Sequence, residues 1–371
     1  MQKIHPEVFR LHNNVYTKHS DRKLIHNLLY WNKKIPKDKK EVINQILTQL
    51  NEVYESLSPL VSMGITFDLW LVGGSVRDFV LGNENQIKDL DIMISFNHSM
   101  KPKVPKIETF LKKSGLDFNK QQIQDLIYRE KGKEPFEHWK KLFSKFRSYK
   151  DRQKQKIVYD IALFDMLACA LAQNFDLYEI YKPANEVANA FDNSDKYLDL
   201  RLNGVIKIKK DNWKWPADIL ITNYNIESFL SAFDFGICKV GFEVVRGSDL
   251  REQRFNFIQT PEELLKRTRV TSHFLKDVTN KEMSMYVTEP MSARQLKHSC
   301  EIHLEKLEKK YPWKIKIELE KSVSYLDPDV DQPKKEDPRQ AYLDAFFMQR
   351  QLNKELQEKI PNVEIKKVKK I

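Results

Sequence analysis

The chain has 371 residues, with 63 basic against 52 acidic side chains for a net charge of +11, and 41% of it is hydrophobic. That length can bury a sizeable core and house two or three domains, and no apolar run is long enough to span a bilayer. The basic balance favours a polyanionic partner, nucleic acid first. The cysteines Cys169, Cys238 and Cys300 are odd in number and scattered, without CxxC or Cys/His spacing. They fit a reducing compartment, and with an N-terminus that lacks a secretion signal the expected location is the cytoplasm.

The first forty residues are basic and weakly patterned. From about Lys40, Val42, Ile43, Ile46, Leu47, Leu50 and Val53 recur at helical spacing, which predicts an amphipathic helix. "FDLWLV" predicts a strand running into Gly73-Gly74, followed by a short helix with Ser75 as its N-cap, Val76, Phe79 and Val80 on one apolar face, and Gly82 to close it. "DLDIMIS" predicts a second strand. Residues 101–190 read as a charged, helical insertion. Within it "KLFSKFRSYKDRQKQK" interleaves Phe143, Phe146 and Tyr149 with basic residues, a pattern that suits either a packed amphipathic helix or an RNA-facing surface. "YLDLRLNGVIKIKK" predicts a hairpin turning at Asn203-Gly204, and "ADILIT" and "FDFGICKVGFEV" predict two more strands around the helical "NIESFLSA". The region from Pro261 reads as mostly helical, ending in a basic tail.

The chemistry concentrates in "LWLVGGSVRDFVLGNENQIKDLDIMIS". Alternation puts Asp89, Asp91 and Met93 on one strand face, and Leu90, Ile92 and Ile94 on the core face. Adjacent carboxylates repel, and a hard divalent cation such as Mg²⁺ relieves that repulsion while also taking phosphate oxygens. Glycines let the backbone approach a ligand closely, and a helix N-terminus presents N–H groups to an anion. Arg77 adds a fork of donors suited to phosphate. The order strand, Gly-Gly, helix, two-carboxylate strand describes a site for a metal-bound polyphosphate. On "SAFDFGICKV" alternation sends Phe233, Phe235 and Ile237 inward and leaves Asp234 on the polar face as the preferred third acid. Asp218, at the start of "ADILIT", is its rival.

Gly73, Gly74, Val76, Arg77, Asp78, Leu81, Gly82, Asp89 and Asp91 stand where the head domain of DNA polymerase β-like nucleotidyltransferases has its signature. The segment resembles the branch of bacterial-type CCA-adding tRNA nucleotidyltransferases and bacterial poly(A) polymerases. That resemblance implies an α+β head, a mixed sheet flanked by helices, spanning 58–260 and carrying the helical insertion. A basic, helical segment 1–57 would precede it and a helical region 261–371 follow it. It also implies Mg²⁺, with Mn²⁺ as an alternative, on Asp89, Asp91 and Asp234, and a nucleoside triphosphate bound by Gly73, Gly74, Ser75, Arg77 and Asp78. The likeness departs in two places. "AFDFGICKV" lacks the family's paired arginines, and the base-selecting Glu-Asp-x-x-Arg helix has only a loose counterpart in "TPEELLKRTRVTSHFL". There Glu262, Glu263, Lys266, Arg267 and Arg269 would share a helix, with Arg267 and Arg269 as nucleotide contacts.

The expected activity is transfer of a nucleoside monophosphate from a triphosphate to an RNA 3′ end, of tRNA or another RNA. Two alternatives remain at this point: transfer to a protein or small molecule, and a non-catalytic nucleic-acid-binding module of the same fold.

Overall fold

The apolar alternation of the head region is used up in one large sheet. A computed structural model describes residues 8–10, 37–62, 65–96, 152–181, 202–231, 233–245, 260, 263–264, 267–287, 299–319 and 364–365. The chain runs β1 (Val8–Arg10), α1 (Lys37–Ser56), α2 (Ser58–Ser62), β2 (Phe67–Val72), α3 (Gly73–Val80) and β3 (Leu90–Phe96). It continues through α4 (Arg152–Ala172), β4 (Asp176–Tyr181), β5 (Leu202–Lys209), β6 (Ala217–Thr222), α5 (Ile226–Ser231) and β7 (Val240–Val245). Then follow β8 (Thr268–Thr271), α6 (Ser272–Asn280), β9 (Glu282–Val287), α7 (Leu304–Lys310), β10 (Lys314–Leu319) and β11 (Glu364–Ile365).

Eight strands pair in the order β1-β8-β7-β2-β3-β6-β5-β4. Every neighbouring pair is antiparallel except β3 and β6, which run parallel. The fold is therefore α+β with a mixed sheet and flanking helices. One face buries Leu69, Leu71, Ile92, Ile94, Ile206 and Ile219 against residues of α1, α3 and α4 such as Ile46, Phe79 and Leu167. The other buries Trp70, Val72, Met93, Val205 and Leu220 under Ile226, Phe229 and Leu230 of α5. Both cores rest on the period-2 alternation expected of strands. Among the described residues no helix is long and apolar enough to cross a membrane.

Several expectations change. Residues 176–181, inside the stretch read as helical, form edge strand β4 on β5. Asn203-Gly204 is no hairpin turn but lies within β5, where the register against β6 slips between Leu202 and Gly204. A bulge supplies the irregularity that a turn was invoked for. The glycine is needed because α4 crosses there, and a Cβ would run into the Phe164 ring. The boundary at 260/261 does not hold, since β8 pairs with β7. Among the described residues after 261, strands also accompany the helices. β9, α7 and β10 form a parallel unit, extended by β11, around Met283, Met285, Leu304, Leu307 and Ile315. Short strands joined by polar turns carry too few residues for alternation to stand out from helical spacing. The basic aromatic stretch 141–151, the proline-rich acidic break and the basic tail lie outside the described residues.

Replacing Gly204 with Ala forces Phe164 from its seat, an overpacking that should cost about 1–3 kcal/mol. Chemical denaturation should record that loss, and a second change, Phe164→Leu, should recover part of it.

Candidate functional site

The site begins where β2 ends. Val72 is extended, and Gly73 turns the chain at a φ of +72°, in the left-handed region that favours glycine. α3 starts there with no side-chain cap. Ser75 is not the N-cap expected of it; the helix begins two residues earlier, and the Ser75 hydroxyl donates back to the Val72 carbonyl at 3.3 Å. The space above Gly73 belongs to Asp91, for a Cβ on Gly73 would lie 2.5 Å from Asp91 Oδ2. The first glycine thus admits a carboxylate to the start of the helix, where the backbone dipole favours negative charge. Gly74 has more room, the nearest atom to its notional Cβ being Arg77 Nη2 at 3.4 Å.

From Asp91 a charged row crosses the sheet. Register sets Asp91 beside Asp218 on β6, Asp218 beside Lys207 on β5, and Lys207 beside Glu179 on β4. Neighbouring strands are about 4.8 Å apart, so the two aspartates stand shoulder to shoulder on one face. Lys207 Nζ meets Glu179 Oε2 at 2.5 Å. Burial works against its charge, but Glu179 and Asp218 outweigh that and hold the ammonium above its ordinary range. Asp89 stands just before β3 and is exposed, within electrostatic range of Tyr178.

Asp218 is the acid next to the Asp-x-Asp strand, and Asp234 is not. The sequence carried a usable signal for this. "DIMIS" in β3 and "DILIT" in β6 are the same pattern, paired residue for residue from Asp91–Asp218 to Ser95–Thr222. The segment around Asp234 forms no sheet strand. A 3-10 turn, Gly236–Cys238, follows it, and Phe235 bridges to Met285 of the second sheet. Alternation therefore does not apply, and Phe235 and Ile237 enter the second core instead. The Asp234 carboxylate lies 2.7 Å from His303 Nδ1 and accepts from the Phe235 amide at 3.0 Å. Burial would raise its pKa, but the bonds to His303 and Ser299 outweigh burial and hold the carboxyl below its usual range.

Arg77 and Asp78 also turn inward. Arg77 Nε donates to Asp78 Oδ1 at 2.7 Å and Nη1 to Cys238 Sγ at 3.2 Å. Asp78 in turn accepts from Tyr311 OH at 2.7 Å and from Lys310 Nζ at 2.5 Å. Burial opposes the Arg77 cation, yet Cys238 and Asp78 raise it above its ordinary range. Burial pushes the Cys238 thiol up to about 11, with the neighbouring Arg77 opposing that shift. These two signature residues fasten α3 to α7 rather than reach toward a phosphate. Glu263 to Arg269 is not one helix either. Arg267 pairs with Glu263 at 2.8 Å, whereas Arg269 lies in β8, bound to Glu243 at 2.9 Å and over the Trp70 ring. Glu262 and Lys266 lie outside the described residues.

As they stand, no three His, Cys, Asp or Glu side chains among the described residues form a closed metal shell. The donor set nonetheless fits a hard cation in type. It has two in-register carboxylates, with exposed Asp89 two residues along, and only oxygen donors, as Mg²⁺ or Mn²⁺ prefers. No protein-family model matches the chain, and no curated protein sequence matches it.

Two outcomes test this geometry. Gly73→Ala should cost about 1–3 kcal/mol in thermal or denaturant unfolding, from backbone strain plus displacement of Asp91, whereas Gly74→Ala should be far milder. Asp234→Asn should lose about 1.5–3 kcal/mol at neutral pH. A depressed carboxyl contributes its stability above the unfolded-state value near 4 and loses it as pH falls through the folded value. The gap between wild type and Asp234→Asn should therefore narrow below about pH 4 in pH-dependent unfolding.

Proposed function

We propose that the protein is a metal-dependent nucleotidyltransferase acting on an RNA 3′ end. The observation that carries this reading is the in-register pair Asp91–Asp218 on the sheet's parallel strands, next to the Gly73 turn. Asp89, Asp91 and Asp218 would hold Mg²⁺ or Mn²⁺, which when bound neutralises triphosphate charge and polarises the α-phosphate.

The chain's own groups divide the remaining work. The uncapped amides at the start of α3 bind phosphate oxygens, and Gly74 lets the backbone come close to them. Asp218, on the side of Asp91 away from Gly73, accepts the proton of the attacking hydroxyl. The acceptor oxygen forms a new bond to the α-phosphorus, the bond to the bridging oxygen breaks, and pyrophosphate leaves. The net charge of +11 favours RNA over a protein or small molecule as acceptor. Asp218 replaces Asp234 in the third-acid role, and Arg77, Asp78 and Arg269 are assigned to the fold rather than to the nucleotide.

The test is incubation with each labelled nucleoside triphosphate, total RNA, and Mg²⁺ or Mn²⁺. Labelled RNA is expected with the wild-type protein, a loss of 100-fold or more (on the order of a missing acid–base or metal group) with Asp91→Ala or Asp218→Ala, and retained turnover with Asp234→Asn. No labelled product with any triphosphate, or undiminished turnover in Asp91→Ala, would overturn the reading.

A further inference from the structure

At the outer end of the charged row the edge strand breaks its own pattern. β4 pairs Leu177 with Ile208 and Glu179 with Lys207, so Tyr178 is an extra residue. A bulge of this kind sets two consecutive residues against one partner and re-aims a side chain. Here the partner is Lys207, and both Tyr178 and Glu179 are exposed. Leu177 and Ile180, on either side, pack against the large core. Tyr178 does not join them, and 49% of it is exposed. Its hydroxyl is within electrostatic range of Asp218, Lys207, Glu179 and Asp89, and burial of the oxygen followed by Asp218 raises its pKa. An aromatic ring is thus held open to solvent at the end of the row that starts at Asp91.

The direction of the row says which ligand would use that ring. Gly73 and the start of α3 lie on the β2 side of Asp91, where a triphosphate would be bound. In an in-line displacement the attacking and leaving oxygens lie on opposite sides of the phosphorus. The acceptor hydroxyl then arrives from the β6–β5–β4 side. The backbone of Tyr178 lies two strand spacings beyond that of Asp218, about 10 Å, and its hydroxyl is within electrostatic range of Asp218. A ring so disposed meets the base of the acceptor's terminal residue.

We propose that Tyr178 is a stacking platform for the unpaired 3′-terminal base of a single-stranded RNA acceptor, an inference that rests on the nucleotidyl-transfer reading and names how that site holds its acceptor. Stacking on an aromatic side chain tolerates any base, since each presents a π face. The platform therefore fixes the position of the 3′ end without selecting its sequence. Tyr178 positions the acceptor and takes no part in bond making.

Binding can be read apart from turnover. Fluorescence anisotropy with a 5′-labelled single-stranded RNA, and with the same RNA ending in an abasic nucleotide, should be measured for wild type, Tyr178→Ala and Tyr178→Phe. Tyr178→Ala should weaken the intact RNA at least about fivefold, and Tyr178→Phe should bind like wild type. The abasic RNA should bind weakly and equally to all three. In turnover, Tyr178→Ala should raise KM for RNA while leaving KM for the triphosphate unchanged. Equal weakening of both RNAs, or none, overturns the platform. A loss confined to triphosphate affinity assigns the ring to the incoming base and overturns it as well. Tyr178-dependent binding in a protein that transfers nothing would sink the transferase reading and leave the platform standing. Normal transfer with Tyr178→Ala unchanged in RNA binding and KM would do the reverse.

Discussion

Two carboxylates forced side by side are the constraint around which the site is arranged. Two unit charges about 5 Å apart repel by roughly 3 kcal/mol at an effective dielectric near 20. The register of β3 and β6 gives Asp91 and Asp218 little freedom to separate, because a slip of one residue would exchange a strand's side chains between the two cores that cover the sheet. Relief has to come from the surroundings. The start of α3 offers Asp91 a partial positive charge worth about 0.3–1 kcal/mol. Lys207 stands beside Asp218 on the neighbouring strand, its ammonium bonded to Glu179 and raised further by the charge of Asp218.

α3 serves two masters along its eight residues. Its first turn faces the carboxylates through Gly73. Its middle is welded to the C-terminal unit by Arg77 and Asp78, with Lys310 and Tyr311 as the other anchors. Hydrogen bonds to charged groups contribute about 1.5–3 kcal/mol each, and a buried charge left without its partner costs more than that. The helix is thus held from behind while its amino end faces the Asp91 carboxylate. Asp234 and His303 supply a second rivet between the same two regions, joining the loop before β7 to the π turn Ser299–His303 that leads into α7. In both cases acids that look like site residues serve as fasteners.

What could be read from the residues alone followed from local periodicity. The strand–Gly-Gly–helix–strand order, the buried faces of "FDLWLV", "DLDIMIS" and "ADILIT", and the short helix after Asn225 all emerge as expected, because alternation and helical spacing are properties of a few adjacent residues. Pairing is not. Asp218 looked secondary to Asp234 because nothing local says that β6 lies next to β3, although the repeated Asp-Ile-x-Ile pattern hinted at it. Gly204 looked like a turn because Asn-Gly usually is one; the crossing of Phe164, forty residues away, decided otherwise. Arg77 looked like a phosphate ligand because its guanidinium suits one, and only the fold reveals that Asp78 and Cys238 take its donors first. The bulge at Tyr178 likewise depends on Lys207 of another strand.

The inward turn of Arg77 and Asp78 bears on how such a motif persists through descent. A lineage that gave up catalysis would gain nothing by discarding these two residues, since losing either would loosen the whole carboxy-terminal unit. Its sequence would go on advertising the signature long after the chemistry had ceased. The presence of Arg77 and Asp78 in any relative would therefore speak for the packing of α3 against the C-terminal unit and not, by itself, for activity.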